Sequence, residues 1–373
     1  MTKYLLRLAG VIVLLVMAAA VVVWNIYGGG ERMANLSQTP QRSIADLETV
    51  AELAMPPCNI AVSASGRVFF TFHPEAKPDI NLVELVEGKP VAYPNLAFNS
   101  DHHPLSFQSV QSVRIDRRNW LWVLDHGNHG TGSPRLLAFN LATGDLVHHY
   151  DFTAEQAPLG SQLNDFQISP DGNWIYIADA SVFRKAPAVV VYNIANKSAR
   201  RVLRGHPSVV ADRNVIAPRG EPLVVLGVFA VRPNIDSIAL DAAGEWLYYS
   251  PTTDPYLYRI HTQWLIDERV NEQQRAASVE VFARKSPSNG IGIDADGTIY
   301  ITDPEQSAIL KLTQNRQLIT VFKHKKINWP DGISFGPDQW IYLTTSGLQD
   351  VIMKSRSHII DSGPYYISRF KAL

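Results

Sequence analysis

A short phrase recurs six times along the chain and constrains the fold more than any other feature. The clearest copy, from Asn289 to Asp303, reads as a polar pair, a short strand, a turn at Asp296-Gly297, a second strand and an acidic end. Asp-Gly between two β-branched runs predicts a hairpin, because glycine supplies the positive φ that a primed turn needs. The copies begin at residues 58, 111, 164, 236, 289 and 331, so the spacings are 53, 53, 72, 53 and 42 residues. Several strands per repeat at this period predict an all-β fold, a six-bladed β-propeller.

The strands outside these hairpins predict how the ring closes. Third strands follow the hairpins, for example at 135–139 and 309–312, and the last one, 365–370, has no fourth strand after it. We therefore predict that residues 46–53 supply the outer strand of the last blade, which removes an open sheet edge. The long spacing between the third and fourth copies predicts an outer strand and a loop insertion within residues 200–234.

The beginning of the chain predicts a membrane or export segment. Lys3 and Arg7 precede an apolar run over 8–27, and about 20 apolar residues can span a bilayer. A cleaved signal peptide is the alternative, with Ala18-Ala19-Ala20 as a possible small-residue site. Under either reading, the positive-inside rule places the chain after this segment outside the cytoplasm, in the periplasm or secreted. If the segment is not cleaved, residues 8–27 anchor the protein to the inner membrane. We divide the chain into this segment (1–27), a linker (28–42) and the propeller (43–373).

Composition narrows the classes of function. With 373 residues, of which 46% are hydrophobic, the chain can build a large core. The formal net charge of -1 gives no basic face, so we expect a small-molecule partner and no nucleic acid. The single cysteine, Cys58, excludes an internal disulfide.

The polar pairs predict a ring of oxygen ligands around the central channel. Each innermost strand begins at its pair, so the side chains of Asn164, Asp236, Asn289 and Asp331 should converge. Two carboxylates and two carboxamides suit Ca²⁺ or Mg²⁺. The structural alternative for each single copy is that Asp or Asn before a strand caps a turn.

Other polar residues should lie on the same face because the second strand of each hairpin returns to it. Gln111 fills a weaker place in the ring and, with Asp125 and Asp179, is a candidate for ligand binding. Asp303 and His126 are the candidates for proton transfer, since histidine titrates near neutral pH. The alternative for His126 is a solvated loop histidine.

Several of these phrases resemble the major royal jelly protein/yellow family. They are Arg114-Ile115-Asp116, 121–125, 134–140, Tyr249-Ser250-Pro251 and 302–309, and the resemblance extends over most of residues 45–373. It implies an exported six-bladed propeller with a ligand pocket in the central channel. Insect members include binders of biogenic amines and enzymes that act on dopachrome.

The polar ring is also similar to the metal site of the senescence-marker protein/gluconolactonase and paraoxonase propellers, which hydrolyse lactones and esters. Asn164, Asn289 and Asp331 match that pattern, and Asp236 adds a carboxylate. Cys58-Asn59 departs from it, because those enzymes have a glutamate there. The resemblance implies metal-assisted lactone or ester hydrolysis of the gluconolactonase type. The alternatives are a non-catalytic small-ligand-binding protein of the cell envelope and a scaffold for another envelope protein.

Overall fold

The computed structural model describes residues 2–100, 103–181, 186–211 and 214–372. The chain begins with helix α1 (Thr2–Tyr27), in which the stretch Arg7–Asn25 is long and apolar enough to cross a membrane. The first strand, β1 (Glu48–Leu53), follows after a segment without regular secondary structure apart from a short 3₁₀ turn.

Within the described residues, six four-stranded antiparallel sheets form the blades of a propeller, which confirms the predicted fold. Blades 1 to 3 follow the chain in order from the inner to the outer strand. Blade 1 contains β2 (Pro57–Val62), β3 (Val68–Phe72), β4 (Leu82–Val86) and β5 (Lys89–Ala92). Blade 2 contains β6 (Val110–Ile115), β7 (Trp120–Asp125), the helical turn α2 (Gly127–Gly130), β8 (Arg135–Asn140) and β9 (Leu146–Asp151). Blade 3 contains β10 (Leu163–Ile168), β11 (Trp174–Asp179), β12 (Ala188–Asn193) and β13 (Ser198–Val202).

Blades 4 to 6 repeat this order. A two-stranded hairpin, β14 (Val224–Val225) and β15 (Phe229–Ala230), precedes blade 4. Blade 4 contains β16 (Ile235–Leu240), β17 (Trp246–Pro251), β18 (Tyr256–His261), helices α3 (Thr262–Ile266) and α4 (Glu272–Ala277), and β19 (Glu280–Arg284). Blade 5 contains β20 (Ile291–Ile293), β21 (Ile299–Asp303), β22 (Ala308–Leu312) and β23 (Leu318–Lys323). The last blade contains β24 (Pro330–Phe335), β25 (Trp340–Thr345), helix α5 (Arg356–Asp361) and β26 (Tyr365–Lys371).

The N-terminal strand closes the ring. β1 pairs antiparallel with β26, so the last blade has the strand order β24-β25-β26-β1. Leu53, at the end of β1, is buried in a cluster that also contains residues of blade 1, such as Ile60 and Val83. The first and last blades are therefore joined by side-chain packing as well as by strand pairing.

The hairpin turns differ from the primed turns that the Asp-Gly pairs predict. In blade 5 the Asp294 backbone pairs with Thr298, and the Gly297 N–H donates to the Asp294 carbonyl. Only Gly297 has a positive φ, 80°, so the loop has three residues and ends in a left-handed glycine. The Asp294 carboxylate accepts hydrogen bonds from the N–H groups of Asp296 and Thr298. The prediction of a primed turn is wrong because this carboxylate stabilises the longer loop.

β-Bulges mark the point where the inner strands begin. The pairing of the inner strand with the second strand shifts register near the polar pair in blades 1, 2, 3, 4 and 6. A bulge redirects side chains at the site where it occurs. This is the reason why both residues of a pair, such as Asn164 and Asp165, face the channel.

Two glycines allow the inner strands to approach one another. A Cβ on Gly290 would lie 2.2 Å from the Asp331 carbonyl oxygen, and one on Gly332 would lie 2.9 Å from the Cys58 carbonyl oxygen. The neighbouring blades are also linked by side chains: the Ser112 hydroxyl donates to the Asn164 carbonyl at 2.7 Å. The channel is narrow at this end as a result.

The insertion before blade 4 reaches over the loops of blades 5 and 6. The Ala217 N–H donates to Glu305 at 2.6 Å, and Arg219 forms an ion pair with Asp350 at 2.6 Å. The segment predicted as a linker packs beside these elements, since the Val215 N–H donates to the Glu31 carbonyl at 2.9 Å. Further along, the N–H of Gln41 donates to an outer-strand carbonyl of blade 5 at 2.9 Å.

Candidate functional site

The starts of the inner strands enclose a small polar cavity at one end of the channel, which we call the channel mouth. Its volume is about 10 Å³, which is room for roughly one water molecule or one ion. Nine polar side chains line the cavity, and together they come from all six blades. They are Cys58, Asn59, Gln111, Arg114, Asn164, Asp165, Asp236, Asn289 and Asp331. The structure thus brings together the four residues predicted as metal ligands, and Gln111 with them.

Two buried carboxylates dominate the electrostatics of this cavity. Burial raises the pKa of the Asp236 carboxyl to about 7, although a hydrogen bond from the Thr252 hydroxyl at 2.9 Å lowers it. Burial, together with the negative charge of Asp236, raises the pKa of Asp331 well above its usual range. Asn289 Nδ2 donates to Asp331 Oδ1 at 2.6 Å. Asp331 Oδ2 is buried and has no partner of hydrogen-bond geometry among the described residues, although the Ser346 hydroxyl lies close enough to lower the pKa of this carboxyl.

Arg114 forms the floor of the cavity. Its Nη1 donates to Asn59 Oδ1 at 2.6 Å, and its Nη2 donates to both oxygens of Asp165 at 2.7 Å. Arg114 balances the charge of Asp165, whereas Asp236 and Asp331 form no salt bridge among the described residues. Arg114 also borders a second cavity of about 200 Å³ towards the other end of the channel.

This second cavity, the lower cavity, has a mixed polar and apolar surface. Its walls come from the far ends of the inner strands, where Ile115, Leu240, Ile293 and Phe335 lie. The polar side chains at its wall are Arg114, Gln167 and Ser334. Arg114, Ile291 and Ile333 border both cavities, so they lie between a polar site for a single ion or water and a space large enough for a small organic molecule.

His73, which was not predicted from the sequence, lies beside the channel mouth. One ligand atom each of Cys58, His73 and Asp331 lie within 4.8 Å of one another, and all three residues are buried. His73 Nδ1 accepts the Glu75 N–H at 3.2 Å, so the proton of the neutral ring is on Nε2 and this nitrogen is a donor. Burial lowers the pKa of His73 to about 4, which keeps the ring neutral at pH 7.

Cys58 is placed as a buried group rather than as a reactive thiol. Burial raises the pKa of the thiol well above its usual range, and the charges of Asp331 and Asp236 add to the effect. Gln111 Nε2 donates to the sulfur at 3.3 Å. A thiolate is the reactive form of cysteine, so this environment does not favour nucleophilic chemistry at Cys58.

The two predicted proton-transfer residues lie outside the cavity wall. His126 is buried, its Nδ1 accepts the His129 N–H at 2.9 Å, and burial lowers its pKa to about 3. It is therefore not a solvated loop histidine. Asp303 is fully buried at the end of β21, where one oxygen accepts the N–H groups of Glu305 and Gln306 at 3.0 Å. Burial raises the pKa of Asp303 to about 7.

Asp125 and Asp179 also lie behind the wall rather than on it. Asp125 accepts the N–H groups of Gln108, Ser109 and Gly127. Asp179 accepts the Ser161 hydroxyl at 2.7 Å and pairs with Arg201. These carboxylates connect the loops at the ends of the second strands, and their positions do not support the predicted contact with a ligand.

Lys285 is a further residue without a sequence signal. Its ammonium group is fully buried and donates to the carbonyls of Thr252 at 3.2 Å and Ser286 at 3.1 Å. Burial lowers its pKa to about 7, although Asp254, Asp303 and Asp236 raise it. The acidic mouth therefore has a positive group behind it as well as Arg114 below it.

The repeat contained a signal for some of the residues that were missed. Asp165 and Asn59 are the second members of polar pairs, and the bulges turn them towards the channel. His73 directly follows the second strand of blade 1, at the position that His126 occupies after the second strand of blade 2. Arg114 has no comparable signal, because only the tertiary structure shows that its side chain joins Asn59 and Asp165 of the neighbouring blades.

The fold and the site define a six-bladed propeller with an acidic cavity at one end of its channel. Residues 108–334 match the family model described as major royal jelly protein, and the chain belongs to this family. Major royal jelly protein 7 of Apis mellifera is 27% identical over 219 residues, 53% of this chain and 47% of that protein. Major royal jelly protein 3 of the same organism is 28% identical over 53% of this chain and 38% of its own length. The chain thus spans about half or less of these relatives.

Solved structures with the same fold include propellers with other names. A calcium-binding protein, regucalcin, from Agrobacterium tumefaciens superposes with a TM-score of 0.55 at 15% identity, covering 87% of this chain and 92% of that one. A gluconolactonase from Xanthomonas campestris superposes with a TM-score of 0.53 at 10% identity, covering 91% and 97%. At these identities the similarity establishes the fold alone, and the predicted relation to gluconolactonase-like propellers is confirmed at that level.

Proposed function

We propose that this protein is an exported propeller that holds a divalent cation at its channel mouth and hydrolyses a small ester or lactone there. The buried Oδ2 of Asp331 carries the proposal: it has no partner of hydrogen-bond geometry in the described chain and lines a cavity the size of one ion. Asp236 lines the same cavity. Two buried carboxyls that share a site repel each other when ionised, and a cation removes this cost.

The residues at the mouth fit a hard cation. Asp236 and Asp331 supply carboxylate oxygens, and Asn164 and Asn289 supply amide oxygens, as Ca²⁺ or Mg²⁺ prefers. Asn289 would have to turn its amide, since its nitrogen now faces Asp331. The solved propellers described as a gluconolactonase and as a calcium-binding protein share this fold and add support.

The chemistry follows from the positions of the polar groups. A bound divalent cation would polarise the carbonyl of an ester or lactone. The mouth holds only about one small species, so a substrate would have to lie above the ring, on the side of the propeller that carries the insertion. A bound cation would keep Asp236 ionised as its ligand, so the raised pKa of about 7 belongs to the metal-free site, and Asp236 would not carry the proton. Neutral His73 offers a hydrogen bond beside Asp331.

The test is the metal content of the intact chain and of a variant with Asp236→Asn and Asp331→Asn. We expect about one equivalent of Ca²⁺ or Mg²⁺ in the parent and a loss of at least tenfold in affinity in the variant. Asp296→Asn, at an exposed turn, is the matched control and should leave binding unchanged. The rate at which the protein hydrolyses aryl esters and small lactones should rise and fall with the amount of bound metal. A parent chain that binds no cation at millimolar concentration, with native circular dichroism, would exclude the metal-assisted reaction.

The lower cavity favours a second candidate, a protein that binds a small ligand without turnover. Its 200 Å³ and mixed surface, with Arg114, Gln167 and Ser334 among aliphatic and aromatic side chains, suit a small molecule that has both polar and apolar groups. Mass spectrometry of small molecules released from the purified chain tests this function. A ligand that is displaced by Ile293→Trp, which fills the cavity, and that is recovered unchanged would favour binding over catalysis.

A further inference from the structure

The insertion before blade 4 carries an exposed apolar hairpin. β14 and β15 form only two backbone pairs, and the turn between them, 226–228, holds Leu226 and Gly227 at positive φ values of 50° and 69°. Leu226, at the tip, is 73% exposed, and Val224 and Phe229 on the two strands are 41% and 39% exposed. Three large apolar side chains on one short exposed hairpin indicate a surface that is covered by a membrane or by another molecule.

The apolar N-terminal helix ends at this hairpin. The ring of Tyr27, the last residue of α1, lies 5.5 Å from the ring of Phe229, centroid to centroid. Tyr27 follows the end of the apolar stretch Arg7–Asn25 by only two residues. Since a helix rises 1.5 Å per residue, the Phe229 contact lies within roughly one helical turn of the end of that stretch.

The position along the helix fixes the depth of the hairpin relative to a membrane. A stretch the length of Arg7–Asn25 fills the hydrocarbon core, and the headgroup region adds about 5–8 Å on each side. Trp24 and Tyr27 lie where aromatic residues gather at a membrane surface. A hairpin in contact with Tyr27 must lie in the same layer, with Leu226 able to enter it.

The hairpin is tied to the channel mouth rather than to the outer rim alone. Arg219 in the same insertion pairs with Asp350 of the last blade, and the Ala217 N–H donates to Glu305 of blade 5. Two other exposed apolar residues, Leu159 and Met353, lie in loops at this end of the propeller. The end that carries the acidic cavity is therefore also the end that faces the helix.

We propose that the hairpin Val224–Ala230 docks on the lipid bilayer that α1 crosses, and that it holds the channel mouth towards the membrane surface. The proposal requires that α1 is retained, and it does not depend on the chemistry proposed for the cavity. It adds a second membrane contact to the anchor. Ligands concentrated at the lipid surface would then have the shortest path to the mouth.

The test uses the intact chain in lipid nanodiscs with an environment-sensitive fluorophore on Leu226→Cys. Val281→Cys is the matched control, because Val281 is 57% exposed on the outer strand β19. The native Cys58 is buried, so the parent chain should take up no label under native conditions. We expect blue-shifted emission at position 226, quenching by brominated lipid chains, and at least threefold weaker quenching by iodide than at position 281.

Three results would overturn the proposal. Equal iodide quenching at 226 and 281 would show that the hairpin is in water. Protection from iodide without quenching by brominated lipid would show that a protein surface covers the hairpin. A mature chain whose mass lacks residues 1–27 would remove the anchor itself. A loss of metal binding in the cavity variants would leave all three measurements unchanged, so the two proposals fail separately.

Discussion

Arg114 of blade 2 donates from one nitrogen to both carboxylate oxygens of Asp165 in the neighbouring blade 3, each at 2.7 Å. Both side chains are largely buried, with exposures of 15% and 11%. Arg114 borders both the acidic cavity and the larger one, together with Ile291 and Ile333. Its ion pair balances the charge of Asp165 and leaves Asp236 and Asp331 without a salt bridge among the described residues.

Breaking this pair should destabilise the protein strongly. Arg114→Met leaves the Asp165 carboxylate buried and unpaired, which costs about 3–5 kcal/mol. The double variant Arg114→Met/Asp165→Asn should lose less than the sum of the two single changes, because no unpaired charge is left. Urea unfolding measures the cycle. Arg356→Met, which breaks an exposed ion pair with Asp79, is the control and should cost less than about 1 kcal/mol. Additive effects in the cycle would contradict the assigned role of Arg114.

Asp303 should make the stability of the fold depend on pH. Its folded pKa is raised to about 7 from 3.8, so the folded state binds the proton more tightly than the unfolded state. This contribution is complete below about pH 4 and is lost as the pH rises through 7. Its total is on the order of a few kcal/mol. Burial lowers the pKa of Lys285 from 10.5 to about 7, so its effect on stability changes with pH only above this window, between about pH 7 and 10.5.

Asp303→Asn tests the dependence. The variant cannot ionise, so its unfolding free energy should fall less than that of the parent between pH 4 and 7. Denaturant unfolding at several pH values gives both curves. Asp296→Asn, on an exposed turn, should keep the parent slope. Parallel curves for the parent and Asp303→Asn would show that the Asp303 carboxyl is not the source of the pH dependence of stability.

Cys58 should resist alkylation in the native protein. The thiol is buried and its pKa is raised by burial and by Asp331, so both access and the thiolate fraction are low. We expect iodoacetamide to react at least 100-fold more slowly with the native chain than with the urea-unfolded chain. Mass spectrometry follows the reaction. In the Val281→Cys variant the added thiol, on the exposed outer strand β19, should react fast while Cys58 does not. Rapid alkylation of Cys58 in the native protein would make its thiol a candidate nucleophile.

Ring closure should depend on Leu53. This side chain is 4% exposed at the interface of the first and last blades, and Leu53→Ala should cost about 2–5 kcal/mol. Val91→Ala, on the exposed outer strand of blade 1, should change stability by no more than about 0.5 kcal/mol. Thermal unfolding compares the two variants. A small effect at Leu53 would mean that strand pairing with β26 closes the ring without this packing.

The architecture was accessible from sequence because each blade repeats the same local pattern. The alternation of apolar residues located the second strands, such as Trp120–Asp125 and Ile299–Asp303, and the missing fourth strand after 370 indicated where β1 would pair. The turn geometry was not accessible, since the carboxylate of Asp294 competes with the adjacent Asp-Gly signal for control of the loop.

For the candidate site, the direction of the inner strands placed Asn164, Asp236, Asn289 and Asp331 at one cavity. The same argument could not separate the wall of the cavity from the layer behind it. Asp125 and Asp303 lie on the predicted face, but backbone N–H groups hold both oxygens of Asp125 and one oxygen of Asp303, whose Oδ2 is buried without a partner of hydrogen-bond geometry among the described residues. Which oxygen is left without a partner depends on such local hydrogen bonds, and these form only in the folded chain.

The sequence by itself determined the number of blades, the strand that closes the ring and the polar character of the channel mouth, because these follow from repeat spacing and strand direction. Only the tertiary structure decided that Arg114 pairs with Asp165 beside the cavity, that His73 lies beside Cys58 and Asp331, and that an apolar hairpin contacts the end of α1. Each of these contacts joins residues far apart in sequence. Their geometry depends on β-bulges, close glycine packing and the path of one insertion, which no local pattern specifies.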